Sequence, residues 1–200
     1  MEQRPQSKSD EISKSSSGEK STYWEVYQQI YFIAFQIILT FIAIFGLYPG
    51  TLLSTYFQFL EGVNSRRAWF NIIMVSMFAI FNTLGRLLVN WVKIFSPKTV
   101  IIGTLFRLLF FATSILIQID ANPSFLFHSD WFKLFHVIFF SISGGYISAL
   151  LLLYAPDKVN DNNKDKVGLL MNFHILAGSC IGTTISVFGL SQIPLGNIEV

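Results

Sequence analysis

Two arginines set inside apolar runs have the most chemistry to offer. The first closes Phe81-Asn82-Thr83-Leu84-Gly85-Arg86, within the run Trp69–Val92. An arginine this deep in a bilayer-length segment costs roughly 2.5–3.5 kcal/mol on insertion scales unless the protein receives it, so Arg86 is expected to point inward. On a helix Phe78, Asn82, Arg86 and Asn90 recur every four residues along one face, while Ile80, Leu84, Leu87 and Leu88 cover the others. Such a stripe, with a guanidinium fork beside a carboxamide, suits a hydroxyl-rich or anionic ligand, or the carbonyls of a neighbouring helix. The second arginine, Arg107, lies at similar depth in Thr99–Ile119 and shares its face with Phe111, Ser114 and Gln118. No Asp or Glu stands in the cores of the apolar runs. The two cations therefore call for partner helices, a ligand, or carbonyl capping, with Arg107 the stronger candidate for the last.

The remaining reactive side chains offer less. His136 and His174 lie in or near apolar runs and read as hydrogen-bonded packing residues; the single cysteine, Cys180, is itself within an apolar run. Asp157–Asp165 is rich in Asp and Asn, but lacks the glycine that a calcium loop needs at its sixth position, so it reads as a solvated turn. No cofactor, metal or catalytic constellation is expected, because no carboxylate pair, ligand cluster or Ser/His arrangement reaches the cores. Small residues mark close helix contacts: Ser141, Ser143, Gly144, Gly145 and Ser148 in one run, and Gly178-Ser179-Cys180-Ile181-Gly182 in another. The pair Gly144-Gly145 would also permit a local bend, and Pro49-Gly50 closes or kinks the first run.

The elements that carry these residues follow from composition. With 52% hydrophobic and 13% charged residues and a mean hydropathy of +0.52, the chain is too apolar for a soluble domain of 200 residues. Five runs, at 23–48, 69–92, 99–119, 132–154 and 167–190, each approach the ~20 residues that a helix needs to cross a bilayer. Barrel strands would alternate apolar and polar residues, which these do not, so five membrane-spanning helices are expected over residues 23–200. Tyr23, Trp24, Tyr27, Trp69, Trp91, Trp131 and Tyr154 fall near the ends, at headgroup level.

Residues 1–22 hold seven serines, four basic and four acidic residues, a composition that cannot bury enough to fold and reads as a cytosolic tail. The basic residues set the orientation. With the amino terminus cytosolic, nine lie inside (Arg4, Lys8, Lys14, Lys20, Lys93, Lys98, Lys158, Lys164, Lys166) and three outside (Arg66, Arg67, Lys133). Five crossings then leave Val200 outside. The scattered charges, net +2, form no basic face for nucleic acid.

Against this background the ordered motifs resemble the carboxy-terminal half of the equilibrative nucleoside transporters, eleven-span carriers built as six plus five. Phe45–Pro49 is similar to the proline-containing end of the seventh span, and Phe81–Arg86 to the eighth-span pattern Phe-Asp-x-x-Gly-Arg. Arg107 with Leu108 and Phe110 resembles the ninth-span arginine. Ser143-Gly144-Gly145-Tyr146 resembles the tenth-span Ser-Asn-Gly-Tyr, and Ala155–Val159 the Pro-x-x-Val stretch that follows. One position departs: Asn82 stands where the family usually has aspartate, removing the carboxylate that would neutralise Arg86.

The resemblance implies an all-α, polytopic transmembrane bundle of five spans, half of a major-facilitator-like transporter, which moves nucleosides by facilitative alternating access. Asn82 and Arg86 would bind substrate; Arg107, Pro49, Gly144 and Gly145 would serve structure or gating. The partners implied are a nucleoside, the lipid bilayer and a six-span amino-terminal half, with the chain a partial product and residues 1–22 the end of a central loop. A plasma membrane is expected over an organellar one. The alternative is a non-transporting subunit or truncated fragment whose polar residues serve only helix assembly.

Overall fold

The computed structural model describes residues 22–47, 66–118 and 129–190, and every regular element among them is helical. There are five long helices: α1 (Tyr23–Leu47), α2 (Arg66–Leu88), α3 (Val100–Gln118), α4 (Asp130–Tyr154) and α5 (Lys164–Leu190). Single 3₁₀ turns at Pro156–Lys158 and Asp161–Asn163 join the last two. Four of the helices are long and apolar enough to cross a membrane; α3, with 19 residues, is apolar and reaches roughly 28 Å. Pro49 lies outside the described residues, as do residues 1–21 of the tail.

Local chemistry sets the helix ends. At α1 the Glu25 carboxylate accepts the Thr22 N–H at 3.0 Å, a capping box of Thr-x-x-Glu form. Before α3, the Ser96 N–H donates to Thr99 Oγ1 at 2.9 Å, and the Val100 N–H returns to the Ser96 carbonyl at 3.1 Å. Helix α4 stops at Tyr154 because Pro156 has no N–H with which to continue the ladder. Helix α2 ends four residues short of the expected Val92. There Asn90 and Trp91 donate to the carbonyls of Leu87 and Leu88 at 3.1 Å in a tightened last turn, and Trp91 is left 80% exposed.

Two glycine-lined crossings organise the bundle. On α5, a Cβ at Gly178 would lie 2.8 Å from the Ile38 carbonyl oxygen, and one at Gly182 would lie 2.9 Å from that of Ile42. This is a small-xxx-small contact that lets α1 and α5 touch backbone to backbone. On the other side, a Cβ at Gly85 would strike the Ile142 carbonyl, and one at Gly145 the Asn82 carbonyl, so α2 and α4 are pressed together in the same manner. These two pairs share the most extensive packing in the chain. Along α1 and α5 the residue numbers rise together, and on α2 Phe78 meets Phe140 while the chain at Val92 meets Tyr146, so each pair is parallel. Helix α3 runs against α4, since Gly103 lies at Ile147 while Thr113 lies at His136. Buried Val26 and Ile30 of α1 cluster with Leu150 and Leu151, whereas Ile44 and Leu47 cluster with Val137 and Phe140. Helices α1 and α4 are therefore antiparallel, and the five helices alternate in direction.

Candidate functional site

The site is built around one level of α4. Adjacent residues on a helix point about 100° apart, so Gly144 and Gly145 open two different faces at the same height. The Gly145 face receives the backbone of α2: a Cβ there would meet the Asn82 carbonyl and lie 3.1 Å from the Arg86 nitrogen. The Gly144 face receives Arg107, whose Nη1 would lie 2.6 Å from a Cβ at that position. Neither site has room for a side chain. Across the pair α4 is continuous helix, with no break at the two glycines.

Arg107 is wholly buried, at 0% exposure. Its Nη1 donates to the Phe140 carbonyl and to Ser143 Oγ, both at 3.2 Å, and the Ser143 hydroxyl donates in turn to the same carbonyl at 3.0 Å. The guanidinium carbon stands 4.9 Å from the centre of the Phe140 ring. Nε and Nη2 are buried without a partner among the described residues. One turn further along, Thr113 Oγ1 lies 2.8 Å from His136 Nε2, with Ser114 Oγ at 3.4 Å, and the His136 ring stacks on Phe140. Of the stripe expected beside Arg107, Ser114 is thus buried against α4; the side chains of Phe111 and Gln118 lie outside the description.

Asn82 and Arg86 are placed differently. Gly85 occupies the contact with α4, and Arg86, one residue on, swings out of it: its side chain is exposed, with no ion pair or hydrogen bond among the described residues. The inward direction expected for Arg86 is not what these helices show, because the face that would receive it is closed by backbone contact. Asn82, half-buried at the edge of the crossing, keeps a buried Oδ1 that accepts no hydrogen bond. Asn90 is exposed beyond the helix end.

Sequence reasoning missed Ser143 as a ligand of Arg107, and it missed the tyrosines of α4. Tyr146 Oη accepts the Ile94 N–H at 2.6 Å and donates to the Val92 carbonyl at 3.0 Å, and Tyr154 Oη donates to the Phe95 carbonyl at 2.7 Å. Their spacing of eight residues on the segment facing a short polar linker was the available signal. His174, by contrast, is a packing histidine: its Nδ1 faces the Leu170 carbonyl at 2.6 Å and its ring stacks on Tyr27.

A polar stripe on one membrane helix and a carbonyl-bound arginine on the next thus meet the two faces that one glycine pair opens on α4. A sequence profile of the nucleoside transporters matches residues 2–189. The chain belongs to the nucleoside transporter family. Equilibrative nucleoside transporter 2 of Homo sapiens is 25% identical over 191 residues, which make up 93% of this chain and 41% of that protein. Nucleoside transporter 1.2 of Leishmania donovani is 28% identical over 126 residues, 60% of this chain and 25% of that one. Equilibrative nucleotide transporter 1 of Arabidopsis thaliana is 21% identical over 171 residues, or 84% and 36%. The chain thus spans well under half the length of these relatives. Its helices and its family make it an integral membrane protein of a transporter class.

Proposed function

We propose that these five helices form one bundle of a facilitative nucleoside carrier, working by alternating access with a second, six-span bundle. The observation that carries the reading is the exposed guanidinium of Arg86 beside the buried Asn82 Oδ1 on a membrane helix, both without a partner among the described residues. An exposed cation there is costly in lipid, and is accounted for if that flank lines a wet central site that another bundle completes. A guanidinium supplies paired donors to vicinal hydroxyls, and a carboxamide donates one hydrogen bond and accepts another, which matches a ribose. Arg107, already held by Phe140 and Ser143, sets α3 on α4. Transport is then rigid-body rocking that lowers the barrier for a polar solute, with no bond made or broken. The excess of basic residues on one side supports a cytosolic amino terminus and an outer carboxy terminus, and the membrane proposed is the plasma membrane.

The test is radiolabelled uridine and adenosine uptake into liposomes. The chain joined to a compatible six-span half is expected to give saturable uptake that deoxy analogues compete for less well, and the chain alone is expected to match empty liposomes. Saturable uptake by the chain alone overturns the two-bundle requirement. Absence of uptake by a folded joined protein favours an assembly subunit.

A further inference from the structure

A helix pressed on its neighbour through glycine can roll. At the centre of the α2–α4 crossing Gly85 meets the Ile142 carbonyl and the Tyr146 nitrogen, and Gly145 meets the Asn82 carbonyl. Side chains pack toward the two ends of the contact, Phe70, Met74 and Phe78 in one cluster and Val89 in the other, and a roll of α2 at the glycines would turn Asn82 and Arg86 toward a different neighbour. Something must fix the angle, and the hydroxyl of Tyr146 is placed to do so. It belongs to the same turn of α4 whose backbone touches Gly85, and it reaches the chain just past the end of α2. There it binds the Val92 carbonyl and the Ile94 N–H together, at 3.0 and 2.6 Å. The Gly85 contact and the Val92 attachment lie seven residues apart in sequence. The ring is buried and lies 6.4 Å from that of Phe95, so the hydroxyl is held where it acts.

We infer that Tyr146 is a positioning residue for the α2 polar stripe, pinning the end of α2 to α4 so that Asn82 and Arg86 face one direction. The inference rests on the carrier reading only for its consequence in transport; the pinning itself is a property of these helices. Tyr154 binds only the Phe95 carbonyl, further from α2, and therefore serves as the comparison.

Tyr146→Phe deletes the hydroxyl and keeps the ring. In the chain in lipid nanodiscs, amide hydrogen exchange at Ile94 is expected to quicken at least about tenfold, since that N–H loses its acceptor. Spin labels at Leu87→Cys on α2 and Leu153→Cys on α4, both on exposed positions, should give a broadened distance distribution. Tyr154→Phe should leave that distribution narrow. In the joined carrier, Tyr146→Phe is expected to raise KM for ribonucleosides about three- to tenfold with the maximal rate within about twofold. Added to Arg86→Ala, it should cost nothing further, because the residue it aims is gone. An unchanged distance distribution, or losses from Tyr146→Phe and Arg86→Ala that add in full, overturns the proposal. If Arg86→Ala alone leaves KM unmoved, the carrier reading fails at this stripe, while the exchange and distance measurements still decide whether Tyr146 pins α2.

Discussion

Arg86 and Arg107 stand level with each other, against adjacent glycines of one helix, and their surroundings have nothing else in common. Arg107 fills the Gly144 notch and is bound to a carbonyl, a hydroxyl and a ring. At Gly145 the backbone of α2 itself fills the notch, and the Arg86 side chain is turned out, without a partner among the described residues. The contrast shows what a glycine on a membrane helix decides. Room for a guanidinium makes the neighbouring arginine part of the assembly. Room for a backbone brings the whole helix in and leaves its arginine for something else. Charge and depth alone do not separate the two residues.

The largest effect that would break this comparison is at Arg107. Truncating the bulkiest fully buried side chain among the described residues leaves a cavity between α3 and α4, and Arg107→Ala should cost about 2–4 kcal/mol of stability. Arg107→Met should recover more than half of that loss, because it refills the volume without a charge to bury. Denaturant titration of the protein in mixed micelles reads both. An Ala variant as stable as the parent would mean that Arg107 does not hold the helices, and the two arginines would no longer differ in kind.

These roles were unequally legible. Helix type and number follow from the apolar runs, because a bilayer-length helix announces itself by composition. Both arginines were visible as polar residues in those runs, and the small residues as contact points. What the pattern could not give was which glycine meets which partner. Gly85 lies inside the Arg86 motif, and a helical wheel placed Arg86 inward without knowing that Gly85 would take the contact with α4. The end of α2 was misplaced for a related reason: hydropathy runs on through Asn90-Trp91-Val92, whereas the backbone there is captured by Tyr146 from another helix. Long-range hydrogen bonds of this kind leave no periodic trace.

The next effect in size is at Arg86. Being exposed, Arg86→Ala should change stability by no more than about 0.5 kcal/mol. In the joined carrier it deletes charge-assisted donors, so affinity for ribose-bearing substrates should fall about ten- to a hundredfold, read by competition between nucleosides and their deoxy analogues. A folded Ala variant with unchanged competition curves would make the stripe a bystander. A variant that fails to fold would instead place Arg86 beside Arg107 as an assembly residue.

The smallest effect, and the one that sharpens the comparison most, is at Asn82. This carboxamide sits one turn from Arg86 with its Oδ1 buried and unbonded among the described residues, so Asn82→Asp puts a carboxylate one turn from the exposed cation in the last turn of α2. Two terms compete. Burying an anion at the edge of the α2–α4 crossing is costly, while pairing it with Arg86 at the favourable four-residue spacing offsets that cost and stabilises the charge of both. The pairing is expected to prevail because Arg86 is unpaired as it stands, whereas the same change near Arg107 would disturb an arginine already bound to Phe140 and Ser143. A carboxylate also accepts a sugar hydroxyl more strongly than a carboxamide does. Binding should therefore be no weaker than in the parent and at most about threefold tighter, with sharper rejection of analogues that lack a ribose hydroxyl. Competition curves with ribonucleosides and matched deoxynucleosides give both quantities from one preparation. Should Asn82→Asp weaken ribonucleosides and deoxynucleosides alike, the carboxylate is consuming the donors of Arg86 instead of aiming them. The unpaired state of Arg86 would then itself be the property that suits this chain to its substrate.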